Sequence, residues 1–416
     1  MKRALSFKKK KEFFVEHTGY SFYGLGISPK IIEIINSLKF KNATPIQHQA
    51  IPLALDGKDV MGIAQTGTGK TMAFAIPAVQ KLSQGKDGRA LVIVPTRELA
   101  IQVEESFFKI GRPFGIKTAV LIGGDPIKNQ LRALAQHPRV LIATPGRLID
   151  LMEQRKVNLN DIRILILDEA DRMFDMGFSD QIETILGAVP KERQTLLFSA
   201  TMPATILSVV RSHMRMPVSV EIARSGATPR QVTHELFIIQ NDMKRVLLGK
   251  LLAQFRGSVL LFCRTKMGAR KISAALRQQG QRAAEIHSDR SLSQRREALE
   301  GFKRGKYRVL VATDIAARGI DVKGIELVIN YDLPDDVENY VHRIGRTGRA
   351  GYPGHAISFA TSDQKEDVAN IERLIRVSLP ISSHPEVPAA QFSQARARGG
   401  TWTNKRFAPR GRLRRR

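Results

Sequence analysis

A run of glycines, hydroxyls and one lysine gives the first chemical signal: Ala64-Gln65-Thr66-Gly67-Thr68-Gly69-Lys70-Thr71, after the strand-like DVMGI and opening a helix-like stretch. Glycines let backbone wrap a phosphate, and N–H groups at a helix start turn partial positive charge toward it. In that setting Thr66, Gly67, Thr68 and Gly69 form the cradle. Lys70 reaches the β/γ-phosphates, and the Thr71 hydroxyl sits on Mg2+. The general pattern starts with glycine, and here Ala64 stands in its place. A chance glycine-rich turn is the plainer reading, and the strand–loop–helix setting argues against it.

A second cluster, Asp168-Glu169-Ala170-Asp171, closes the apolar run IRILIL. A parallel strand ending in aspartate puts its carboxylate at the carboxyl edge of a sheet, beside a phosphate loop. Asp168 is expected to hold Mg2+ and Glu169 to orient and deprotonate the attacking water. Paired acids also cap solvated helices, but not commonly at the end of a buried strand. The third cluster is His342-Arg343-Ile344-Gly345-Arg346-Thr347-Gly348-Arg349. Guanidinium groups of Arg346 and Arg349, three apart among glycines, suit a γ-phosphoryl transition state approached across a domain interface. By itself that run reads equally as a solvated basic loop. The phosphate loop far upstream tips the balance toward arginine fingers.

These groups need elements to hold them. From Phe22 to about Ile222 short apolar runs (DVMGIA, RALVIVP, KTAVLIGG, RVLIATP, IRILILDEA, QTLLFSA) alternate with helix-length stretches. Continuous apolar strands alternating with helices imply a parallel sheet covered on both faces. The segment ARSGATPR has no period, and then the alternation restarts with THELFII, SVLLFC, RAAEIH, YRVLVAT, IELVINY and HAISFA. The expected organisation is a basic N-terminal arm (1–20), a nucleotide-binding domain (21–222), a linker (223–231), a second α/β domain (232–380) and a disordered basic tail (381–416).

The chain of 416 residues is long enough for two cores, and 43% hydrophobic residues can fill them. Lys and Arg number 66 against 39 Asp and Glu, a net charge of +27, which calls for a polyanionic partner. No apolar run approaches the roughly 20 residues of a membrane span. The lysine-rich start lacks the apolar stretch of a secretory signal. The one cysteine, Cys263, leaves no internal disulfide and no thiolate zinc cluster, which points to a reducing cytoplasm.

In their order and spacing these blocks resemble the DEAD-box family of superfamily-two RNA helicases, over about residues 22–379. The resemblance implies two tandem RecA-like domains and an ATP-dependent enzyme that hydrolyses ATP on RNA and locally opens short duplexes or remodels ribonucleoproteins. It implies ATP and Mg2+ as cofactors. Phe22 and Thr44-Pro45-Ile46-Gln47 look like the family's adenine-recognising segment. Gln47 offers a donor and an acceptor to the adenine edge, and Phe22 offers a stacking face. The plainer alternative is a core phenylalanine and a helix-start glutamine. Ser199-Ala200-Thr201 looks like the coupling motif that binds Asp171, with His342 in the same coupling set. Asp321 matches the ribose contact.

For RNA the resemblance implies a strand lying across both domains and held by its backbone, with little sequence preference. The matching positions are Arg97 of Pro95–Ala100, Gly123-Gly124, Thr144-Pro145-Gly146-Arg147, Arg264, Arg295 and Thr313-Asp314. Arginines, hydroxyls and glycine-exposed N–H groups suit phosphates and 2′-OH groups rather than base edges. The family often shows Gln-x-x-Arg after the position of His287. Here Leu292 fills the glutamine slot ahead of Arg295, so either a contact is missing or Gln294 compensates. The arginine-rich tail, with Arg396, Arg398, Lys405, Arg406, Arg410, Arg412, Arg414, Arg415 and Arg416 around Phe392, Trp402 and Phe407, resembles the bacterial RhlE-type group and could tether RNA. A monomer, no membrane, and ribosomal or RNA-degradation assemblies are the expected setting. Two rivals stand beside this reading: a DNA-translocating helicase, and a clamp whose tail anneals RNA.

Overall fold

The structure, a computed structural model, describes residues 19–65, 67–85, 87–222, 232–317, 322, 324–348 and 354–393. Its first sheet comprises β1 (Val60–Ile63), β2 (Arg89–Ile93), β3 (Thr118–Leu121), β4 (Val140–Ala143), β5 (Ile162–Asp168), β6 (Gln194–Ser199) and β7 (Val218–Glu221). They pair in parallel in the order β3-β4-β2-β5-β6-β1-β7. The second sheet holds β8 (Val232–Ile238), β9 (Val259–Phe262), β10 (Ala283–Ile286), β11 (Val309–Ala312), β12 (Leu327–Asn330) and β13 (Gly354–Ala360), also parallel, in the order β10-β11-β9-β12-β13-β8.

The central strands are buried at both faces, which is why they read as unbroken apolar runs. In β4, β6, β9, β11 and β12 every residue is buried. Separate apolar clusters cover the two faces of the first sheet, and others fill the second domain. Helices start where the chain supplies caps. The Thr96 hydroxyl accepts from Leu99 N at 3.3 Å and that of Thr265 from Gly268 N at 3.0 Å. Ser291 and Gln294 cap one another's backbone N–H groups at 3.3 and 3.0 Å. Proline opens the helices Pro29–Ser37, Pro45–Leu55 and Pro145–Glu153. Among the described residues no helix is long and apolar enough to cross a membrane.

Two expected boundaries move. Residues 381–393 are not a free tail, because they run along the edge strand β8. Ser382 N donates to Leu236 O at 2.8 Å, Leu236 N to Pro380 O at 2.8 Å, Ala390 N to Ile238 O at 2.9 Å, and Ser393 N to Ser362 O at 2.8 Å. An open edge leaves unpaired N–H and C=O groups, and this segment satisfies them while burying Val387. At the other end Tyr20 is already part of the first domain: Ala43 N donates to Tyr20 O at 2.7 Å, and the Tyr20 ring stacks on His48 at 4.4 Å. The proposed linker 223–231 and the basic residues from Arg396 onward lie outside the described residues.

Candidate nucleotide and RNA site

The phosphate loop leaves β1 and enters the helix Lys70–Gln84 through Gly69, whose φ of 92° is left-handed. Glycine is required there twice over, since a Cβ would also overlap the Gln47 amide. Ala64, in the usual glycine position, needs no such freedom: it sits at 3% exposure in the first apolar cluster, and its N–H donates to Ser199 O at 2.9 Å. Lys70 is 5% exposed and its Nζ has no hydrogen-bond partner. A buried ammonium without an acceptor is costly, and a phosphate oxygen is what this loop would offer it. Thr68 Oγ1 donates to Gln65 O at 2.7 Å, which shapes the turn, and Thr66 lies outside the described residues.

At the end of β5 the chain turns sharply. Glu169 has φ 52° and ψ 49°, a left-handed conformation that a non-glycine residue adopts only under constraint from its surroundings. Its N–H donates to Asp168 Oδ1 at 2.9 Å. Burial pushes the Asp168 carboxyl up to about 7, Glu169 and Asp171 add to that push, and Lys70 opposes it. Such a carboxyl needs a further cation to stay ionised near neutrality, so Asp168 with Thr71 fits an Mg2+ site by its chemistry. Burial acts on Glu169 in the same direction, but the charges of Arg172, Lys70 and Arg346 outweigh it and hold its carboxyl below the usual range. Asp171 is likewise held low, by Lys70 and the Thr201 N–H against burial.

Asp171 ties this turn to the end of β6. Ala200 N and Thr201 N donate to its Oδ2 at 3.0 and 2.9 Å, Thr201 Oγ1 at 3.2 Å, and its own N–H donates to Ser199 Oγ at 3.1 Å. The second domain closes over the same place. His342 and Arg346 lie with Arg172 around a small cavity, joined there by Asn339 and Arg343. Arg346 is 3% exposed, and its Nε donates to His342 O at 3.3 Å. Burial, then the charge of Arg172, lower His342 to about 4, so its imidazole is neutral near pH 7. Arg343 serves the domain itself, donating to Asp314 Oδ2 at 2.6 Å and Asn330 Oδ1 at 3.2 Å. Arg349 and Asp321 lie outside the described residues.

At the adenine end the outcome is mixed. Gln47 is buried; its Oε1 accepts from Thr44 N at 2.9 Å, and its Nε2 donates to Gly69 O at 3.0 Å. The amide therefore braces the phosphate loop, with one proton and one lone pair left over for a base. Phe22 corrects the expectation: it is 3% exposed within the first apolar cluster, where neighbouring side chains already cover it. The plainer reading, a core phenylalanine, describes its packing.

Apart from Arg295, the RNA candidates share one feature of position: each follows the carboxyl end of a strand. Arg97 comes after β2, Gly123-Gly124 after β3, Thr144-Gly146-Arg147 after β4, Arg264 after β9 and Thr313 after β11. Gly124 has φ 73°, and the Arg97 guanidinium lies where its Cβ would be. Arg147 Nη1 donates to Asp125 O at 3.4 Å, and Arg264 pairs with Asp335 at 3.2 Å while half-exposed. Arg295 is a second correction. It is buried, and its Nη2 lies 2.7 Å from Glu98 Oε2 of the first domain, an ion pair without hydrogen-bond alignment. It bridges the domains instead of facing solvent. Leu292 settles into the first domain's apolar cluster at 7% exposure, and Gln294 is committed to its helix cap. The glutamine slot is thus replaced by an apolar interdomain contact, with no compensation from Gln294.

Arg172 is a site residue that the motifs did not mark, and for Glu98 and Leu292, which lie within the quoted blocks, the motifs did not reveal the contacts across the domains. Arg172 was detectable by its i,i+3 spacing from Glu169.

Residues 44–209 match the family model for DEAD/DEAH box helicases, and residues 243–351 that for the helicase conserved C-terminal domain. The DEAD-box ATP-dependent RNA helicase CshA of Bacillus subtilis (strain 168) is 43% identical over 376 residues, 90% of this chain and 76% of that protein. CshA of Geobacillus kaustophilus is 42% identical over 378 residues, 90% of this chain and 81% of the relative. The RhlE-type grouping suggested by the tail finds no support in these names. S. cerevisiae Dbp5 bound to RNA and ADP BeF3 superposes with TM-score 0.78 and 29% identity, over 88% of this chain and 96% of that one. Mss116p bound to ssRNA and AMP-PNP does so with TM-score 0.79 and 26% identity, over 86% and 78%.

Proposed function

The chain belongs to the DEAD-box ATP-dependent RNA helicases, and from that premise we propose how its residues divide the work. It is an RNA-dependent ATPase that unwinds or remodels RNA. The observation that carries the division is the enclosure of Glu169 by charges from both domains, Lys70 and Arg172 on one side and Arg346 on the other. A base so placed works only when the cleft is shut.

Gly67, Thr68, Gly69 and Thr66 cradle the phosphates, Lys70 takes the β/γ oxygens, and Gln47 reads the adenine edge. Thr71 and Asp168 would hold Mg2+, which when bound neutralises charge on the transferred phosphoryl group. Glu169 accepts the proton of the attacking water, and its low-held carboxyl is ionised for that task. Arg346, with Arg349, stabilises charge on the γ-phosphoryl group. Asp321 contacts the ribose. Asp171, Ser199, Thr201 and His342 transmit the nucleotide state to domain closure. RNA lies along the carboxyl edges of both sheets, on Arg97, Gly124, Thr144, Gly146, Arg147, Arg264 and Thr313. The boundaries 21–222 and 232–380 enclose the two units, the first extended to Tyr20 by its pairing with Ala43 and the second to residue 393 by its strap. The reading extends to a monomer in the cytoplasm, on RNA of ribosomal or RNA-degradation assemblies; the single buried Cys263 and the net charge of +27 support it.

ATP turnover with RNA and with single-stranded DNA of equal length tests the reading. RNA alone should stimulate. Equal stimulation by DNA would favour a DNA-translocating motor.

A further inference from the structure

Arg172 has so far entered only as a charge beside Glu169, yet it is among the most buried side chains of the described residues, at 2% exposure. An arginine this deep is costly unless its donors are matched. One match is plain: Nη1 donates to Glu169 Oε2. Its backbone N–H also donates to Asp171 Oδ1 at 3.0 Å, so two of the turn's three carboxylates, those of Glu169 and Asp171, converge on this residue. Nη2 has no hydrogen-bond partner. The guanidinium borders a cavity with about 10 Å3 of water-accessible space, and every other lining residue (Phe262, Asp314, Asn339, His342, Arg343, Arg346) comes from the second domain. Room of that size suits about one water, and the polar lining gives it partners.

We propose that Arg172 is a positioning residue for hydrolysis, fixing the Glu169 carboxylate through Oε2 and doing so fully only when the second domain covers it. The proposal rests on the reading of Glu169 as the base. Glu169 stands on strained left-handed backbone, so its side chain needs an external hold to keep one direction. Arg172 supplies that hold and leaves Oε1 for the attacking water. The strength of the hold depends on dielectric. A guanidinium–carboxylate pair facing water is worth little, whereas the same pair enclosed at a domain interface is far stronger. The enclosing wall is the segment Asn339–Arg346, so closure of the cleft tightens the base at the moment Arg346 arrives. ATP binding itself uses the phosphate loop and does not touch Arg172. The residue should therefore govern turnover and leave affinity alone.

The test is the full chain carrying Arg172→Met, Arg172→Lys or Glu169→Gln, assayed for kcat, KM for ATP, and affinity for a single-stranded RNA with ADP BeF3. Arg172→Met should lower kcat about tenfold or more. KM and the analogue-dependent RNA affinity should stay within about threefold, which also shows that the variant folds and closes. Arg172→Lys should recover part of kcat, because a cation still reaches the carboxylate. Unchanged kcat, a lysine variant no better than methionine, or RNA affinity lost in step with kcat would each overturn the proposal. So would a raised kcat, which would mean that the pair holds the base idle. Glu169→Gln distinguishes the levels: turnover surviving there would remove the base itself, whereas an inactive Glu169→Gln beside a normal Arg172→Met removes only the role of Arg172.

Discussion

A buried ammonium and a buried amide set what the nucleotide must bring. Lys70 Nζ lacks an acceptor, and Gln47 holds Gly69 O with one of its two amide protons. Replacing Gln47 with alanine removes two things at once: the brace on the phosphate loop, and the remaining donor and acceptor for a base. The brace serves any nucleotide and is worth about 1 kcal/mol, or about fivefold in affinity. The base contact serves only adenine. Gln47→Ala should therefore weaken GTP about fivefold and ATP clearly more, measured as equilibrium binding of each; equal losses would make Gln47 purely structural. His342 adds a pH dependence. Its folded value of about 4 lies below the unfolded value near 6.5, so the unfolded chain binds the proton more readily. The associated stability is intact above about pH 6.5 and is lost as pH falls toward 4, by about 3 kcal/mol in all. Because carboxylates titrate in the same range, the readout is the difference between wild type and His342→Gln. The stability advantage of the glutamine variant should grow between pH 6.5 and 4, and parallel curves would show that the imidazole is not enclosed.

Strands ending together at one edge turn scattered motifs into a site. That much was legible in the sequence, because short apolar runs such as ILIL and VLVA, repeated between helix-length stretches, read as strands buried at both faces. What escaped were elements whose signal is weak in composition. β7 is four residues, VSVE, with only Val220 fully buried, too short and too mixed to stand out. Residues 381–393 read as tail because Ser and Pro break any apolar period there, while their packing on β8 depends on backbone pairing that side-chain periodicity does not report. Arg295 carried the right residue type for RNA, but its partner, Glu98, sits in the other domain, a pairing that spacing alone does not reveal. Leu292 is the most telling departure. As an apolar contact between domains, it should contribute about 2 kcal/mol to closure. Leu292→Ala should thus weaken RNA binding in the presence of ADP BeF3 by about tenfold or more, with ATP affinity in the absence of RNA unchanged. Fluorescence anisotropy of a labelled RNA reads this directly, and unaltered RNA affinity would mean that the contact does not support the closed state.

Two domains share one cleft, and the last described residue, Ser393, is anchored to Ser362, just past the carboxyl end of β13. The basic residues 394–416 follow it in sequence. If their arginines neutralise phosphates, log affinity for single-stranded RNA falls with log salt by about 0.7 per contact. Removing 394–416 should flatten that slope by several units and leave the maximal RNA-stimulated rate intact. The cut belongs after Ser393, because ending at residue 380 would also strip the cover from β8 and lower stability. Equal slopes would make the tail a solubilising extension.

The central claim is that closure assembles a hydrolytic site around Glu169, and Glu169→Gln tests it most directly. Steady-state RNA-stimulated ATPase should fall about 100-fold or more. RNA affinity with ATP should be kept, since Lys70, the phosphate loop and the Arg295–Glu98 and Leu292 contacts between the domains are untouched. Turnover near the wild-type rate would contradict the account.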